Sequence, residues 1–162
     1  MNTTKWKLTL AGGLVAVALG GFLLGFAWAT PGQGVTVTTI AGPADMGELD
    51  IDADLETHEI ELQTSGQWVG RVVHHRIVPG GHTGWHSHPG PVFVMVTAGT
   101  LTKYDADDLD APGVYPAGTG FVEGIGDVHI GVNEGKVDLE MISFLLTPKG
   151  WPTRIDEPDP RD

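Results

Sequence analysis

Between His58 and Thr147 the chain is cut by turn signals at short intervals: Ser65-Gly66, Pro79-Gly80-Gly81, Gly99, Pro112-Gly113, Gly124-Ile125-Gly126 and Asn133-Glu134-Gly135. No piece between them sustains a 3.6-residue apolar repeat, so a helical bundle has nothing to build on. The pieces predict strands over 58–63, 67–78, 91–97, 99–104, 112–115, 119–123, 128–133 and 137–147. Many short antiparallel strands bury their apolar faces by closing into a sandwich or barrel. The expected fold is all-β, a small antiparallel barrel.

The N-terminus has a different character. Residues 1–7 carry Lys5 and Lys7 and no acid, and Leu8 to Ala29 is uncharged and ends in Ala27-Trp28-Ala29. A basic start, an apolar run and an A-x-A end are the parts of a signal peptide. The run is also long enough, about 33 Å as a helix at about 1.5 Å per residue, to cross a bilayer. Residues 1–29 are thus expected to be a signal peptide cleaved after Ala29 or a retained single-pass anchor helix. Either way the basic end stays in the cytoplasm and the domain is exported, as a secreted or an extracytoplasmic, membrane-anchored protein.

The rest divides into a linking and acidic segment over 30–57, the barrel over 58–147 and a proline-rich tail over 148–162. Val35 to Ile40 suits an edge strand, which offers an edge for homodimer pairing. Asp50, Asp52, Asp54, Glu56 and Glu61 lie at spacings like those of a calcium loop. Leu55 occupies the place of the turn glycine and no helices flank it, so the segment reads as a solvated acidic edge. Trp151 and Ile155 are the tail residues available to pin it to the barrel.

Formal charge is −12, and about −14 without the leader's two lysines, so a phosphate backbone is repelled and nucleic acid is excluded as a partner. Cysteine is absent, which removes disulfides, thiolate ligands and a lipidated cysteine. No nucleophile elbow, P-loop or dinucleotide fingerprint occurs.

One stretch carries chemistry. Gly80 to Gly99 reads GGHTGWHSHPGPVFVMVTAG and holds His82, His86 and His88. On a strand, residues two apart share a face, so His86 and His88 enter the same space, as neighbouring metal ligands must. The patterns Gly80-x5-His86-x-His88-x3-Val92-x6-Gly99 and Gly118-x5-Gly124-x-Gly126-x2-His129-x3-Asn133 together resemble the two motifs of the cupin superfamily, over about residues 70–147. The resemblance implies a jelly-roll barrel and a mononuclear metal site at His86, His88 and His129. It also implies a turn-fixing role for Asn133.

Two positions depart from the family pattern. Gly124 replaces a proline, and Val92 stands where the family has a glutamate, the anionic ligand. Three imidazoles suit iron, nickel, copper, zinc or manganese, so the cofactor is expected to be a divalent transition metal of unassigned identity. Without a carboxylate the ion keeps its full charge and favours anionic or chelating oxygen ligands.

Other polar residues have two readings each. His82 is a ligand or supporting group, or an exposed loop histidine. Glu123 replaces the missing carboxylate, or lies on a surface strand. Only one of His74 and His75 can face inward. Tyr104 and Tyr115 offer a hydroxyl or pack on strands. Trp85, Phe93, Met95 and Val96 read as packing. The expected function is a metal-dependent enzyme on a small molecule, a dioxygenase by resemblance. The alternatives are a non-catalytic small-ligand-binding module and a metal-independent isomerase or epimerase.

Overall fold

The computed structural model describes residues 29–162. The leader expectation therefore lies outside the described residues, except for Ala29, which bridges to Pro158. The described residues form strands and turns: β1 (Gln33–Gly47), β2 (Asp50–Leu55), β3 (His58–Gln63), β4 (Trp68–His82), β5 (His86–Ser87), β6 (Val92–Ala98), β7 (Thr100–Asp105), β8 (Asp108–Pro116), β9 (Gly120–Glu123), β10 (His129–Val132), β11 (Leu139–Pro148) and β12 (Ile155–Asp156). The all-β expectation holds. Ten of the strands join in one nearly closed antiparallel barrel, with the path β12-β5-β10-β4-β11-β6-β9; β1 lies on β4, and β7 on β10 carries β8.

The strands expected between His58 and Thr147 are all present, within a few residues at each end. Two local differences have physical reasons. The segment over 33–47, read as a link with a short edge strand, pairs with β4 along nearly its whole length. Register shifts near Ala41 and Gly47 break its alternation, which hides a long strand from a period-2 reading. The strand over 58–63 pairs only with β2, in a separate two-stranded ribbon. There Asp52 faces Glu61 and Asp54 faces Glu59, all exposed, while Ile51 and Leu62 share the opposite face. Asp50, Asp52 and Asp54 are thus spread along a strand and do not wrap as a calcium loop.

The core comes from alternation. On β6, Val92, Val94 and Val96 are buried and Phe93 and Met95 point outward, 39% and 54% exposed. Val96 fills the barrel as expected; Phe93 and Met95 do not, because they have the opposite parity to the valines. Val73 and Ile77 on β4, Leu101 on β7 and Leu139, Met141 and Leu145 on β11 complete the cluster, with Val35, Tyr115 and Phe121 packed against it. Trp85 is buried, as expected. Asn133 is fully buried: its amide donates to the carbonyls of Ile77 and Val137 at 2.8 and 2.9 Å and its oxygen accepts from the Gly135 N–H. It ties the β10–β11 turn to β4.

Candidate metal centre

Register brings the site together. His86 and His129 are directly opposed partners on β5 and β10, and directly opposed residues project to one face. His88 follows two residues after His86. The three rings meet with centroids 4.4 to 5.4 Å apart. One ligand atom from each lies within 4.8 Å of the others, an arrangement that could hold a metal ion. All three residues are buried.

Each ring is aimed by its other nitrogen. His86 Nδ1 lies 2.9 Å from the Gly84 carbonyl, His88 Nδ1 2.6 Å from the Thr153 carbonyl, and His129 Nδ1 2.9 Å from the Asp127 carbonyl. A carbonyl oxygen only accepts, so each Nδ1 must carry the proton and donate it. In a neutral ring the Nε2 is then a free lone pair. Gly84 has φ +73°, and a Cβ there would strike the Thr30 carbonyl, so the close turn that presents its carbonyl to His86 requires glycine. Fixing the tautomer from outside is how metal-binding histidines are held. Burial, helped by the neighbouring His129, Arg154 and His88, pushes His86 down to about 2, so its lone pair stays available at neutral pH.

Glu123 belongs to the site. It is the last residue of β9, the direct partner of Val92 on β6. Its Oε1 lies 3.1 Å from His129 Nε2 and its Oε2 3.2 Å from His88 Nε2, with the side chain 11% exposed. His129 Nε2 is nonetheless a buried nitrogen without a hydrogen-bond partner in proper geometry. Burial works to raise the carboxyl, but the contacts with His129 and His88 outweigh it and hold Glu123 well below the usual carboxylate range. An imidazole whose Nδ1 donates to a carbonyl donates from Nε2 as well when it is doubly protonated, so this carboxylate is placed to accept from His88 and His129. Without that second proton the same Nε2 atoms belong to the histidine group that could hold a metal ion, and the Glu123 carboxylate stands beside it.

The surrounding cavity is lined by Val92, Val94, Leu101, Met141 and Leu145 on its apolar sides, and by Thr83, His75, Lys103 and Glu123. An adjoining pocket shares His75, Thr83, His86 and His88 with it and is also lined by Thr153 and Arg154. Lys103 pairs with Asp105, and Arg154 Nε donates to Asp156 Oδ1 at 2.5 Å.

The structure settles the open pairs. His75 faces the cavity, and His74 points outward to Glu140 at 3.4 Å. His82 stays apart from the trio: its Nδ1 accepts the Gly84 N–H at 3.1 Å and shapes the loop before His86. Tyr104 donates to Glu134 at 2.8 Å away from the cavity, and Tyr115 stacks on Phe121 with centroids 4.1 Å apart. Tyrosine hydroxyls take no part. In the tail, Trp151 is 61% exposed and pins nothing. The strand Ile155–Asp156 pairs with Ser87 and His86 instead, and Ser87 Oγ donates to Glu157 at 2.8 Å.

Lys103, Arg154 and the Thr153 carbonyl were not anticipated from sequence. Parity could have found Lys103, two residues from inward Leu101, and it favours an inward Glu123, two residues from Phe121. Nothing local signals the tail contacts, which depend on where 153–157 docks.

No family model and no curated protein sequence matches this chain. Solved structures do resemble it. A recombinant oxalate oxidase in complex with glycolate shares 25% identity at a TM-score of 0.50, over 76% of this chain and 55% of that one. A cupin-2 domain protein from Rhodospirillum rubrum shares 12% identity at a TM-score of 0.53, over 78% and 68%. The chain has the cupin fold. The polyketide cyclase RemF from Streptomyces resistomycificus, at 13% identity and a TM-score of 0.55 over 82% and 79%, shares the same architecture. This cupin barrel spans about half the length of the oxalate oxidase it matches.

Proposed function

We propose that this protein is an exported mononuclear metal enzyme of cupin type that acts on a small carboxylate-bearing molecule with dioxygen. The observation that carries the reading is the convergence of three imidazoles whose Nδ1 protons are each spent on a backbone carbonyl, leaving three lone pairs directed into one cavity. His86, His88 and His129 hold the ion. A divalent transition metal would supply Lewis acidity there and, for iron, manganese or copper, redox contact with dioxygen.

The residues around it favour a small acid. Arg154 lines an adjoining pocket that shares His86 and His88 with the cavity; its Nε is held by Asp156, and its remaining N–H groups are the ones to take a carboxylate whose other end approaches the ion. The apolar walls from β6 and β11 exclude bulk water, which strengthens charge interactions inside. The neighbour bound to glycolate, a small hydroxy acid, supports the same class. Export is supported by the basic N-terminal residues and the uncharged run over 8–29.

The test is metal analysis of protein purified without a polyhistidine tag, followed by oxygen-electrode assays with a panel of small mono- and dicarboxylates. About one equivalent of a transition metal is expected, lost in His86→Ala and His129→Ala, with oxygen uptake on at least one acid. Less than about a tenth of an equivalent, unchanged in both variants, overturns the metal reading. A metal-loaded protein that binds an acid without consuming oxygen is a binding module and not an enzyme. N-terminal sequencing of the exported protein tests the leader, a start at Thr30 showing cleavage and a retained Met1 showing an anchor.

A further inference from the structure

We propose that Glu123 is the fourth protein ligand of this metal, its carboxylate delivered from β9 in place of the one that Val92 lacks on β6. The inference rests on the metal reading above and adds to it the charge and oxygen donor that the histidine trio alone does not provide.

Sheet register makes the exchange of positions feasible. Val92 and Glu123 are directly opposed in the antiparallel pair β6–β9, so both side chains project to the barrel interior, a few ångströms apart. Both line the cavity of the three histidines. A carboxylate lost from one strand is thus recovered from its cross-strand neighbour without moving the backbone. Valine at position 92 leaves room for the longer side chain opposite.

Charge accounting narrows the partners of Glu123. Of the cationic side chains nearest the cavity, Lys103 pairs with Asp105 and Arg154 through its Nε with Asp156, and neither pairs with Glu123. Among the described residues, the ion-pair contacts of Glu123 are to the Nε2 atoms of His88 and His129 alone, at 3.2 and 3.1 Å. Without an ion, protons on the two Nε2 atoms join them to this carboxylate; a bound cation takes the place of those protons between the same atoms. Two donors each about 2.1 Å from one ion at right angles stand about 3.0 Å apart, close to both separations. An oxygen ligand also lowers the net charge of the loaded site from +2 to +1 and moves its preference toward manganese and iron.

Three full-length proteins test the assignment: the parent, Glu123→Gln, and the double variant Val92→Glu/Glu123→Val. Each is stripped with a chelator and titrated with Mn(II) and Co(II) by competition, and Co(II) absorption reports the donor set. The parent binds about one equivalent. Glu123→Gln is expected to bind at least about 10-fold more weakly, with a shifted Co(II) spectrum. The double variant recovers affinity, because the carboxylate returns to the same space from the facing strand. Equal affinity and an unchanged spectrum in Glu123→Gln overturn the assignment while leaving the histidine site standing. A parent that binds neither ion overturns the metal reading itself. Circular dichroism of the stripped proteins separates misfolding from ligand loss, and if the double variant fails to fold, Glu123→Gln alone decides.

Discussion

His75 stands in the same cavity as the three metal-directed histidines but has no carbonyl at its Nδ1, which is buried without a partner. Burial pushes it down from 6.5 to about 4; Glu123 opposes that shift, and His88, His74 and Arg154 add to it. The sign of the pH dependence follows. Above pH 6.5 His75 is neutral in both states and contributes no slope. Between about 6.5 and 4 the unfolded chain binds a proton there that the native state refuses, so stability falls as pH falls through that window. The loss is at most about 3.5 kcal/mol at about 1.4 kcal/mol per unit. Denaturant unfolding of chelator-treated protein at pH 7 and pH 5 should show it, and His75→Phe should reduce the difference while removing no hydrogen bond. An equal pH difference in the variant would place the titration elsewhere. That His75 and not His74 faces inward was undecidable from adjacency alone. The choice is made by β4, where His75 sits opposite Met141, whose side chain lines the cavity, and in parity with buried Val73 and Ile77.

At the scale of elements, the tail works as part of the site. Its strand pairs with β5, the strand that carries His86, and the Thr153 carbonyl holds the Nδ1 of His88. Removing residues 153–162 should therefore weaken metal binding about 10- to 100-fold, the range found when partners that orient metal ligands are lost. Chelator competition measures it. A truncated protein with parental affinity would show that His88 is oriented by its own loop. Composition made the tail legible only as proline-rich and extended. Its function depends on docking, and Ile155, the residue that pairs with Ser87, looks no different in sequence from exposed Trp151. The histidine spacing was legible at this scale, because an H-x-H on a strand has one geometric outcome. The β2–β3 ribbon was legible as acidic but not as a separate sheet, since nothing in the sequence of β3 says that it pairs only with β2.

For the whole molecule, the site links strands far apart in the chain: His86 on β5, Glu123 on β9, His129 on β10, and the tail after β11. An ion that binds only when these meet must stabilise the fold. With free metal at about 100 times Kd, the gain is about 2.7 kcal/mol. For a domain of this size that is expected to raise Tm by roughly 5–10 °C. Calorimetry of the stripped protein with and without added Mn(II) should show the rise, and His129→Ala should abolish it. A rise of equal size in His129→Ala would mean that the ion binds elsewhere, for example along the acidic ribbon.

What the sequence by itself determined is what repeats locally. Turn residues mark where strands end, alternation sets which side of β6 is buried, and two glycine–histidine patterns at matched spacing carry a barrel with a histidine trio. These are short-range properties, set by steric limits on the backbone and by side-chain parity. What only the tertiary structure decided depends on which strand lies beside which. Antiparallel pairing set Glu123 across from Val92 and His129 across from His86, while the docked tail brought Thr153 to His88. A position that reads in sequence as a missing carboxylate is, in the folded barrel, a site with its carboxylate on the neighbouring strand.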